Sequence, residues 1–236
     1  MKVLEPKTLI IIPAFNEAVN IGDVVRDVKK NVPRADIVVV NDGSYDATAS
    51  VARAQGVTVL SHPYNMGIGA TMQTGYKYAK TKGYAIAVQV DADGQHPAEE
   101  IAHLIEPIVE GRADVVVGSR FLGKGAYRPS FARSAGMAFF SKLVSVIVKE
   151  KLTDTTSGFR AVGRPCIEYF SSHYPDDYPE VEALVLLHKK GFSIMEVPVK
   201  MAERAGGRSS ITPVRSVYYM VKVLLAILVD MIKKWN

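Results

Sequence analysis

Two aspartates separated by one residue form the most informative feature of the sequence. Asp91 and Asp93 follow the apolar run Ala85–Val90, and Gln95 comes shortly after them. Carboxylates this close repel one another and are costly to desolvate unless a cation neutralises them. Mg²⁺ or Mn²⁺ suits such a pair, because these hard cations bind a few carboxylates together with the oxygens of a phosphorylated ligand. The alternative is a solvated turn, but a position at the end of a buried strand favours the metal site, with Gln95 adding an oxygen or positioning a carboxylate.

Two other polar clusters contain residue types that bind nucleotides. The segment Asp42-Gly43-Ser44 is typical of a turn followed by a helix cap, because Asp and Ser side chains bond to nearby backbone amides. The alternative is functional, with Asp42 accepting a hydrogen bond from a nucleobase or a ribose hydroxyl. Gly67 and Gly69 open a predicted helix, where bare backbone can approach a ligand and the helix N-terminus favours phosphate. Packing against a neighbouring helix explains these glycines equally well.

Each cluster follows an apolar run, and such runs alternate with helix-like segments through the first half of the chain. The predicted strands cover Thr8–Pro13, Asp36–Asn41, Val57–Ser61, Tyr84–Asp91 and Asp114–Ser119. The predicted helices cover Ala18–Asn31, Asp46–Gln55, Gly67–Lys82 and Pro97–Glu110. This alternation predicts an α/β fold with helices on both faces of a sheet. Ligands of such sheets bind outside the carboxyl ends of the strands, so we expect three polar clusters, Asn16-Glu17, Asn41–Ser44 and Asp91–Gln95, to converge on one pocket.

The pattern changes after about Gly123. The elements predicted beyond it are an amphipathic helix at Ala135–Lys149, a helix at Glu180–Lys190, a strand at Ser193–Val199, an arginine- and glycine-containing loop at Arg204–Ser210 and a terminal helix from about Pro213 to Trp235. The periodicity of apolar residues supports the first of these helices, because charged and apolar side chains fall on opposite faces.

Composition argues against several classes of protein. With 236 residues, 48% hydrophobic and 22% charged, the chain can bury a core and is not intrinsically disordered. Cys166 is the single cysteine, so no internal disulfide can form and a reducing compartment is expected. The five histidines are scattered without cysteine partners, which argues against a zinc site. The first residues lack the apolar core of a signal peptide, and the net charge of +5 favours anionic partners.

Taken together, the motifs resemble those of family 2 glycosyltransferases. The matching segments are Pro13–Glu17, Asn41–Asp46, Asn65–Gly69, Asp91–Gln95, Gly118–Arg120 and Asp154–Arg160. Each is weak alone, but their order and spacing cover about Thr8 to Arg208. Within the family, the chain looks most like the branch that glycosylates polyprenyl or dolichyl phosphate, as dolichol-phosphate mannosyltransferases do. The resemblance implies the GT-A fold, which is a Rossmann-like nucleotide-diphospho-sugar transferase fold with a mostly parallel mixed sheet. We expect the catalytic domain to cover residues 1–212 and, from the apolar terminal stretch, a C-terminal amphipathic helix over 213–236.

The resemblance implies a role for each matching residue. The expected nucleotide pocket consists of Pro13, Phe15, Glu17, Asp42 and Asp91. The expected metal ligands, for Mg²⁺ or Mn²⁺ against the diphosphate, are Asp91, Asp93 and Gln95. The residues expected to meet the acceptor and its phosphate are Arg120, Arg133, Arg204 and Ser157. Asp93, Arg120 and Asp154 are the expected catalytic residues, and Glu182 is a weaker candidate beside Asp154 for orienting the acceptor or a metal-bound water. Ordinary alternatives are a solvated helix charge for Arg133 and Glu182, and a helix-end cap for Asp154.

The implied reaction is an inverting transfer of a sugar from a GDP- or UDP-linked donor to a polyprenyl or dolichyl phosphate. A phosphate acceptor is already an oxygen anion near neutral pH, so it needs no general base. Transfer to the hydroxyl of a saccharide or a lipid-linked saccharide is an alternative that would need one. A sugar nucleotidyltransferase is less compatible, because no basic glycine-rich loop follows the first strand. A non-catalytic nucleotide-binding module is disfavoured by the intact carboxylate pair and the set of arginines.

The last apolar stretch, Val217–Ile232, bears on the membrane. Lys222 and Asp230 interrupt it, whereas a span requires roughly 20 largely apolar residues. We therefore expect an interfacial helix, with Lys222 and Trp235 at the polar boundary, that holds the protein peripherally at the cytoplasmic face of the membrane. Packing on the protein's own core or self-association into a homo-oligomer is the alternative. We expect no nucleic acid partner.

Overall fold

The computed structural model describes residues 6–122, 141–142, 144–147, 151–176 and 179–202. The strands are β1 (Thr8–Ala14), β2 (Asp36–Asn41), β3 (Thr58–Ser61), β4 (Ile86–Gln89), β5 (Val115–Ser119), β6 (Arg160–Gly163) and β7 (Ile194–Pro198). The helices are α1 (Ile21–Asn31), α2 (Thr48–Ala54), α3 (Ile68–Thr81), α4 (Ile101–Val109), α5 (Arg164–Phe170) and α6 (Pro179–Lys189). A 3₁₀ turn at Ala98–Glu100 leads into α4, and residues 141–142 and 144–147 are also helical.

All of these strands lie in one sheet, in the order β3-β2-β1-β4-β6-β5-β7. Strand β1 pairs in parallel with both β2 and β4, and the pairs β2–β3 and β5–β7 are also parallel. Strand β6 runs antiparallel to β4 and β5, between which it lies. The sheet is therefore mixed but mostly parallel, as predicted, and the carboxyl ends of β1, β2 and β4 share one edge.

The sheet has a hydrophobic core on each face. Along β1, Leu9 and Ile11 lie in one core with side chains of α3, α5 and α6, whereas Ile10 and Ile12 lie in the other with side chains of α1 and α4. The two-residue repeat of a strand turns alternate side chains to opposite faces, so a continuous apolar run feeds both cores. All four side chains are fully buried. The prediction that helices cover both faces is confirmed.

Helix α1 connects this packing to the edge of the sheet. Its buried residues Ile21, Val24, Val25 and Val28 recur at the spacing that places side chains on one helical face. Just before the helix, the carbonyl of Glu17 accepts hydrogen bonds from the backbone N–H groups of Asn20, at 3.0 Å, and Ile21, at 2.9 Å. The first turn of α1 therefore fixes the backbone of Glu17 beyond the carboxyl end of β1.

Strand β6 and helix α5 differ from the sequence-based expectation, which placed no element there. Strand β6 has four residues, starts with Arg160 and is buried throughout. Neither its length nor its alternation distinguishes it from a loop, and its pairing with two distant strands makes it a strand. Pro165, at the start of α5, has the fixed φ that suits the first turn of a helix.

Several other expectations need adjustment or fall outside the described residues. Predicted strand Tyr84–Asp91 is shorter in the structure, because β4 ends at Gln89 and leaves Asp91 in the following loop. Arg133, Arg204, the loop at Arg204–Ser210 and the terminal helix lie outside the described residues. In the part of the chain that the structure describes, no helix is long and apolar enough to cross a membrane.

Candidate active site

The loop after β4 carries the paired aspartates at the carboxyl edge of the sheet. Asp91 and Asp93 are both partly exposed, and the Asp91 side chain is 39% accessible to solvent. Gly94 has a φ of 79°, a left-handed conformation that favours glycine, and the backbone N–H of Gln95 donates to Asp93 Oδ1 at 3.0 Å. The backbone carbonyl of Gln95 accepts from Ala202 N–H at 3.1 Å, which ties the loop to the segment after β7. These contacts hold three oxygen-bearing side chains in one short turn.

The donor set of this turn fits a hard divalent cation. Carboxylate and amide oxygens are the ligands that Mg²⁺ and Mn²⁺ prefer, and Mg²⁺ often takes only one or two carboxylates and completes its shell with phosphate and water oxygens. Among the described residues, no group of three or more His, Cys, Asp or Glu side chains has the geometry of a complete metal site. Asp91, Asp93 and Gln95 would therefore have to share a cation with oxygens from elsewhere, and their role as metal ligands stays a prediction.

His96 lies behind this turn, and the sequence analysis missed it. The backbone N–H of Asp91 donates to His96 Nδ1 at 3.0 Å, and His96 Nε2 lies 3.6 Å from Asp91 Oδ2. The buried imidazole stacks on Phe159, with ring centroids 4.6 Å apart and planes inclined by 12°. Burial lowers the pKa of His96, and the carboxylates of Asp91 and Asp93 partly oppose that shift. A neutral ring that accepts at Nδ1 carries its proton on Nε2.

The carboxylate of Asp91 also contacts Gln89 at the end of β4 and lies close to Gly158, just before β6. Gln89 Nε2 donates to Asp91 Oδ1 at 3.3 Å. A Cβ atom added at Gly158 would lie 2.9 Å from Gln89 Nε2 and 3.3 Å from both carboxylate oxygens of Asp91. The absence of a side chain at Gly158 thus lets the segment before β6 pack directly against the acidic loop.

Asp42 is almost completely buried at the carboxyl end of β2, and its carboxylate holds the loop before α3. Oδ1 accepts from Met66 N–H at 2.9 Å and lies 2.8 Å from His62 Nδ1, while Oδ2 accepts from Gly67 N–H at 2.9 Å. Gly67 has a φ of 91°, so the conformation that exposes its N–H to Asp42 favours glycine. The structure therefore gives Asp42 a role in fixing loop 62–67. Its direct contact with a nucleotide stays a prediction.

The predicted nucleotide residues Phe15 and Glu17 lie beside this loop. Asn16 between them has a positive φ of 55°; its N–H donates to Ser44 Oγ and its Oδ1 accepts from Tyr45 N–H, both at 2.9 Å. The Phe15 and Tyr45 rings meet edge to face with centroids 6.1 Å apart, and both are exposed. Hydrogen bonds thus join the ends of β1 and β2 and leave two aromatic rings open to solvent. Pro13, in contrast, is buried within β1.

Arg120, just past the end of β5, is locked onto Asp154. Arg120 Nε donates to Asp154 Oδ2 and Nη2 donates to Oδ1, both at 2.7 Å, and the Arg120 backbone N–H also donates to Oδ2 at 3.0 Å. Thr156 Oγ1 accepts a further bond from Arg120 Nη2 at 2.9 Å. The Asp154 side chain is fully buried, whereas 24% of the Arg120 side chain is exposed. Asp154 therefore fixes the orientation of Arg120, and the direct contact of either residue with an acceptor stays a prediction.

Glu196 on β7 supports this pair from behind, and no motif of the sequence points to it. Its Oε2 accepts from the backbone N–H of Thr153 at 2.7 Å and from Thr153 Oγ1 at 2.8 Å, and its Oε1 accepts from Asp154 N–H at 2.7 Å. Burial raises the pKa of Glu196, and the hydrogen bonds that it accepts partly offset this. The Glu196 carboxylate fixes the backbone from which Asp154 reaches Arg120.

Residues 154–160 join the ion pair of Arg120 and Asp154 to the acidic loop, which is the turn that carries Asp91 and Asp93. Ser157 in this segment is buried, and its Oγ accepts from Phe159 N–H at 3.3 Å, so its predicted contact with a phosphate stays a prediction. Arg160 is also buried, and its Nη2 donates to the carbonyls of Ser157 at 2.6 Å and Glu180 at 3.1 Å. Glu182 is half-buried on α6. Within this segment Gly158 packs against Asp91 and Asp154 binds Arg120, so one short stretch of chain contacts both groups.

Comparison with known proteins agrees with this geometry. The model of the family described as Glycosyl transferase family 2 matches residues 9–170, more than half of the chain. The chain belongs to this family. This chain is 30% identical to a polyprenol monophosphomannose synthase of Mycolicibacterium smegmatis, across 87% of this chain and 81% of that protein. It is 31% identical to a UDP-N-acetylglucosamine–dolichyl-phosphate N-acetylglucosaminyltransferase of Methanococcus voltae, across 81% of this chain and 84% of that protein.

A solved structure supports the fold independently. The glucosyl-3-phosphoglycerate synthase of Mycobacterium tuberculosis, crystallised with Mn²⁺, UDP and phosphoglyceric acid, superposes with a TM-score of 0.73. The superposition covers 96% of this family 2 glycosyltransferase and 78% of that chain, at 20% identity. The predicted GT-A fold is confirmed by this likeness, and the family match confirms that the protein is a glycosyltransferase.

Proposed function

We propose that this glycosyltransferase moves a sugar from a nucleotide diphosphate sugar to a polyprenyl or dolichyl phosphate, with inversion at the anomeric carbon. The observation that carries the proposal is that residues 154–160 link an acidic loop to an oriented arginine. Gly158 packs against Asp91 at one end of residues 154–160, and Asp154 holds Arg120 at the other. The names of the M. smegmatis and M. voltae relatives, one a polyprenol and one a dolichyl-phosphate enzyme, support the acceptor class.

The acidic loop is the donor side of the proposed site. Asp91, Asp93 and Gln95 would hold Mg²⁺ or Mn²⁺, which would supply positive charge to stabilise the nucleoside diphosphate as it departs. The nucleoside lies at the ends of β1 and β2, where Pro13, Phe15, Glu17 and Asp42 form its pocket. Exposed Phe15 offers an aromatic face to a base, and buried Asp42 keeps the neighbouring loop in position.

The ion pair of Arg120 and Asp154 forms the acceptor side of the proposed site. A lipid phosphate and a nucleotide diphosphate are both anionic, so they approach one another only if positive groups lie between them. Arg120 supplies such a charge in a fixed direction, because both of its carboxylate contacts are made with Asp154. We propose that Arg133 and Arg204 add further positive charge and that Ser157 belongs to the same phosphate site.

The proposed displacement needs no general base. An oxygen of the acceptor phosphate attacks the anomeric carbon while the bond from that carbon to the β-phosphate oxygen breaks, and the electron pair leaves with the nucleoside diphosphate. The acceptor oxygen carries its negative charge near neutral pH, so no proton has to be removed. The Asp154 carboxylate is buried and already accepts hydrogen bonds from the backbone N–H, Nε and Nη2 of Arg120. A positioning role therefore fits it better than the role of a base.

We further propose that residues 213–236 form an interfacial helix that holds the enzyme at the cytoplasmic face of the membrane. A lipid-linked acceptor is presented at the bilayer surface, so a peripheral attachment raises its local concentration at Arg120. The sequence supports this attachment through an apolar stretch that is interrupted by Lys222 and Asp230. Self-association through the same helix is the competing hypothesis.

Product analysis with defined substrates tests the proposal. Purified protein is incubated with UDP-glucose, UDP-N-acetylglucosamine or GDP-mannose, with undecaprenyl or dolichyl phosphate in detergent, and with Mn²⁺ or EDTA. We expect one donor to give a glycosylated lipid phosphate and one equivalent of free nucleoside diphosphate, in the presence of Mn²⁺ but not of EDTA. Formation of a nucleoside triphosphate and a sugar 1-phosphate from the nucleotide sugar when pyrophosphate is added would identify a nucleotidyltransferase instead. Nucleoside diphosphate release that is independent of the lipid phosphate would refute the proposed acceptor.

A further inference from the structure

His96 closes the loop that carries the proposed cation ligands. Val90, one residue past the end of β4, is still bonded to the sheet, because its N–H donates to the carbonyl of Ile11 on β1 at 3.0 Å. Asp91 is the next residue, and its N–H donates instead to the side chain of His96, at 3.0 Å. One side-chain acceptor therefore replaces the strand partner at the point where the chain leaves the sheet, and the turn from Asp91 to His96 becomes a closed ring.

The imidazole is itself held in place by the segment before β6. It stacks on Phe159 with a centroid distance of 4.6 Å, and it is buried. The neighbouring residue Gly158 packs against the carboxylate of Asp91. Segment 158–159 thus supports Asp91 in two ways. Gly158 packs against Asp91 directly, and Phe159 stacks on His96, which in turn accepts the hydrogen bond from Asp91. A stacked ring in a buried position has little freedom to rotate, so its Nδ1 is a fixed acceptor.

We propose that His96 is a positioning residue for donor binding: its Nδ1, fixed by the Phe159 stack, sets the backbone of Asp91 and thereby the direction of the carboxylate that meets the cation and the diphosphate. This inference rests on the proposed function, because it assigns His96 to the same donor site. Residues that orient a metal ligand without touching the metal typically change metal affinity by about 10- to 100-fold when they are lost. The same magnitude is expected here.

Three substitutions separate the acceptor atom from the ring. His96→Phe keeps an aromatic ring for Phe159 and removes the acceptor. His96→Asn removes the ring, but its side-chain oxygen can take the place of Nδ1, whereas His96→Gln moves the amide further from the backbone, to the place of Nε2. The matched control is His103→Phe, because His103 is an exposed histidine on α4 that pairs with Glu100, away from the site.

The measurement is calorimetric binding of UDP and of GDP to each full-length variant, with Mn²⁺ and with EDTA, alongside circular dichroism and the thermal midpoint. For the nucleotide that the wild type binds, we expect His96→Phe to weaken binding with Mn²⁺ by at least about 10-fold and binding in EDTA by less than about 3-fold. We expect His96→Asn to remain within about 3-fold of the wild type with Mn²⁺, and His103→Phe to match the wild type.

Other results decide the inference as follows. Wild-type affinity in His96→Phe would refute it, and so would an equal loss with Mn²⁺ and with EDTA, which indicates a general structural role. If His96→Phe does not fold, the comparison between His96→Asn and His96→Gln decides: rescue by Asn alone supports the inference, and equal behaviour of the two overturns it. If the wild type binds neither nucleotide more tightly with Mn²⁺, the proposed donor site itself is wrong, and the role of His96 fails with it.

Discussion

The substitution Asp154→Asn tests whether Arg120 owes its orientation to a buried carboxylate. Asp154 accepts bonds from Arg120 Nε and Nη2 at 2.7 Å and from the Arg120 backbone N–H at 3.0 Å, with its side chain wholly buried. Asn has nearly the same shape but carries no charge, and one of its two terminal atoms is a donor that cannot bond to a guanidinium. The variant therefore leaves Arg120 without its counter-charge and with at least one bond broken.

The expected loss of stability follows from the burial of the two partners. Breaking a buried ion pair by removing one partner destabilises a protein by about 3 to 5 kcal/mol. Water reaches part of Arg120, of which 24% is exposed, so we expect a smaller loss, about 2 to 3 kcal/mol in the free energy of unfolding measured with urea. The control is Glu168→Gln in the exposed pair Arg164–Glu168, for which we expect a change below about 0.5 kcal/mol.

The same variant is expected to lose activity for a separate reason. With its fixed direction lost, Arg120 no longer meets the acceptor phosphate, and we expect kcat/KM for the lipid phosphate to fall about 100-fold, equivalent to about 2.7 kcal/mol. The double variant Arg120→Met with Asp154→Leu should recover most of the stability, because an apolar pair often replaces a buried ion pair without loss. It should remain inactive. Near wild-type activity in Asp154→Asn, or any substantial activity in the double variant, would refute the assignment of Arg120 to the acceptor side.

Three further predictions address the donor side and the membrane. Asp93→Ala should abolish turnover with an unchanged thermal midpoint, because Asp93 is partly exposed; full activity of the wild type in EDTA would contradict the cation. Asp42→Ala should raise the KM for the nucleotide sugar more than it lowers kcat and should also lower the thermal midpoint, since Met66 and Gly67 lose their acceptor; a fall in kcat alone would contradict this. The full chain, but not a version ending at Thr212, should co-sediment with anionic liposomes at low salt and be released by high salt; equal recovery of both in the supernatant would favour self-association.

The central strands could be predicted from the sequence because their signal is local. Leu9 to Ile12 and Ile37 to Val40 are continuous apolar runs, and burial on both faces of a parallel sheet is the physical cause of such runs. Strand β6 has no comparable signal, since it is short and begins with Arg160. Its antiparallel pairing with both β4 and β5 is a tertiary property, and no feature within the segment itself specifies it.

The same distinction separates the site residues that were predicted from those that were missed. Asp91 and Asp93 can be predicted from their residue type and from their position after a strand. His96 and Glu196 do not, because their partners Phe159 and Thr153 are distant in sequence and approach only after β6 and β7 join the sheet. Spacing rules detect neighbours along one element, and they contain no information about contacts of this range.

Burial also divides the acids of the candidate site in a way that residue types alone do not reveal. Asp42 and Asp154 are almost completely buried, and backbone N–H groups and a guanidinium fill their oxygens. Asp91 and Asp93, in contrast, remain partly exposed. A buried and saturated carboxylate contributes to the fold whether or not a ligand is present, whereas a partly exposed pair keeps oxygen atoms that a cation or a ligand can reach. Substitution of the first two acids should therefore impair stability and activity together, and substitution of Asp93 should impair activity alone.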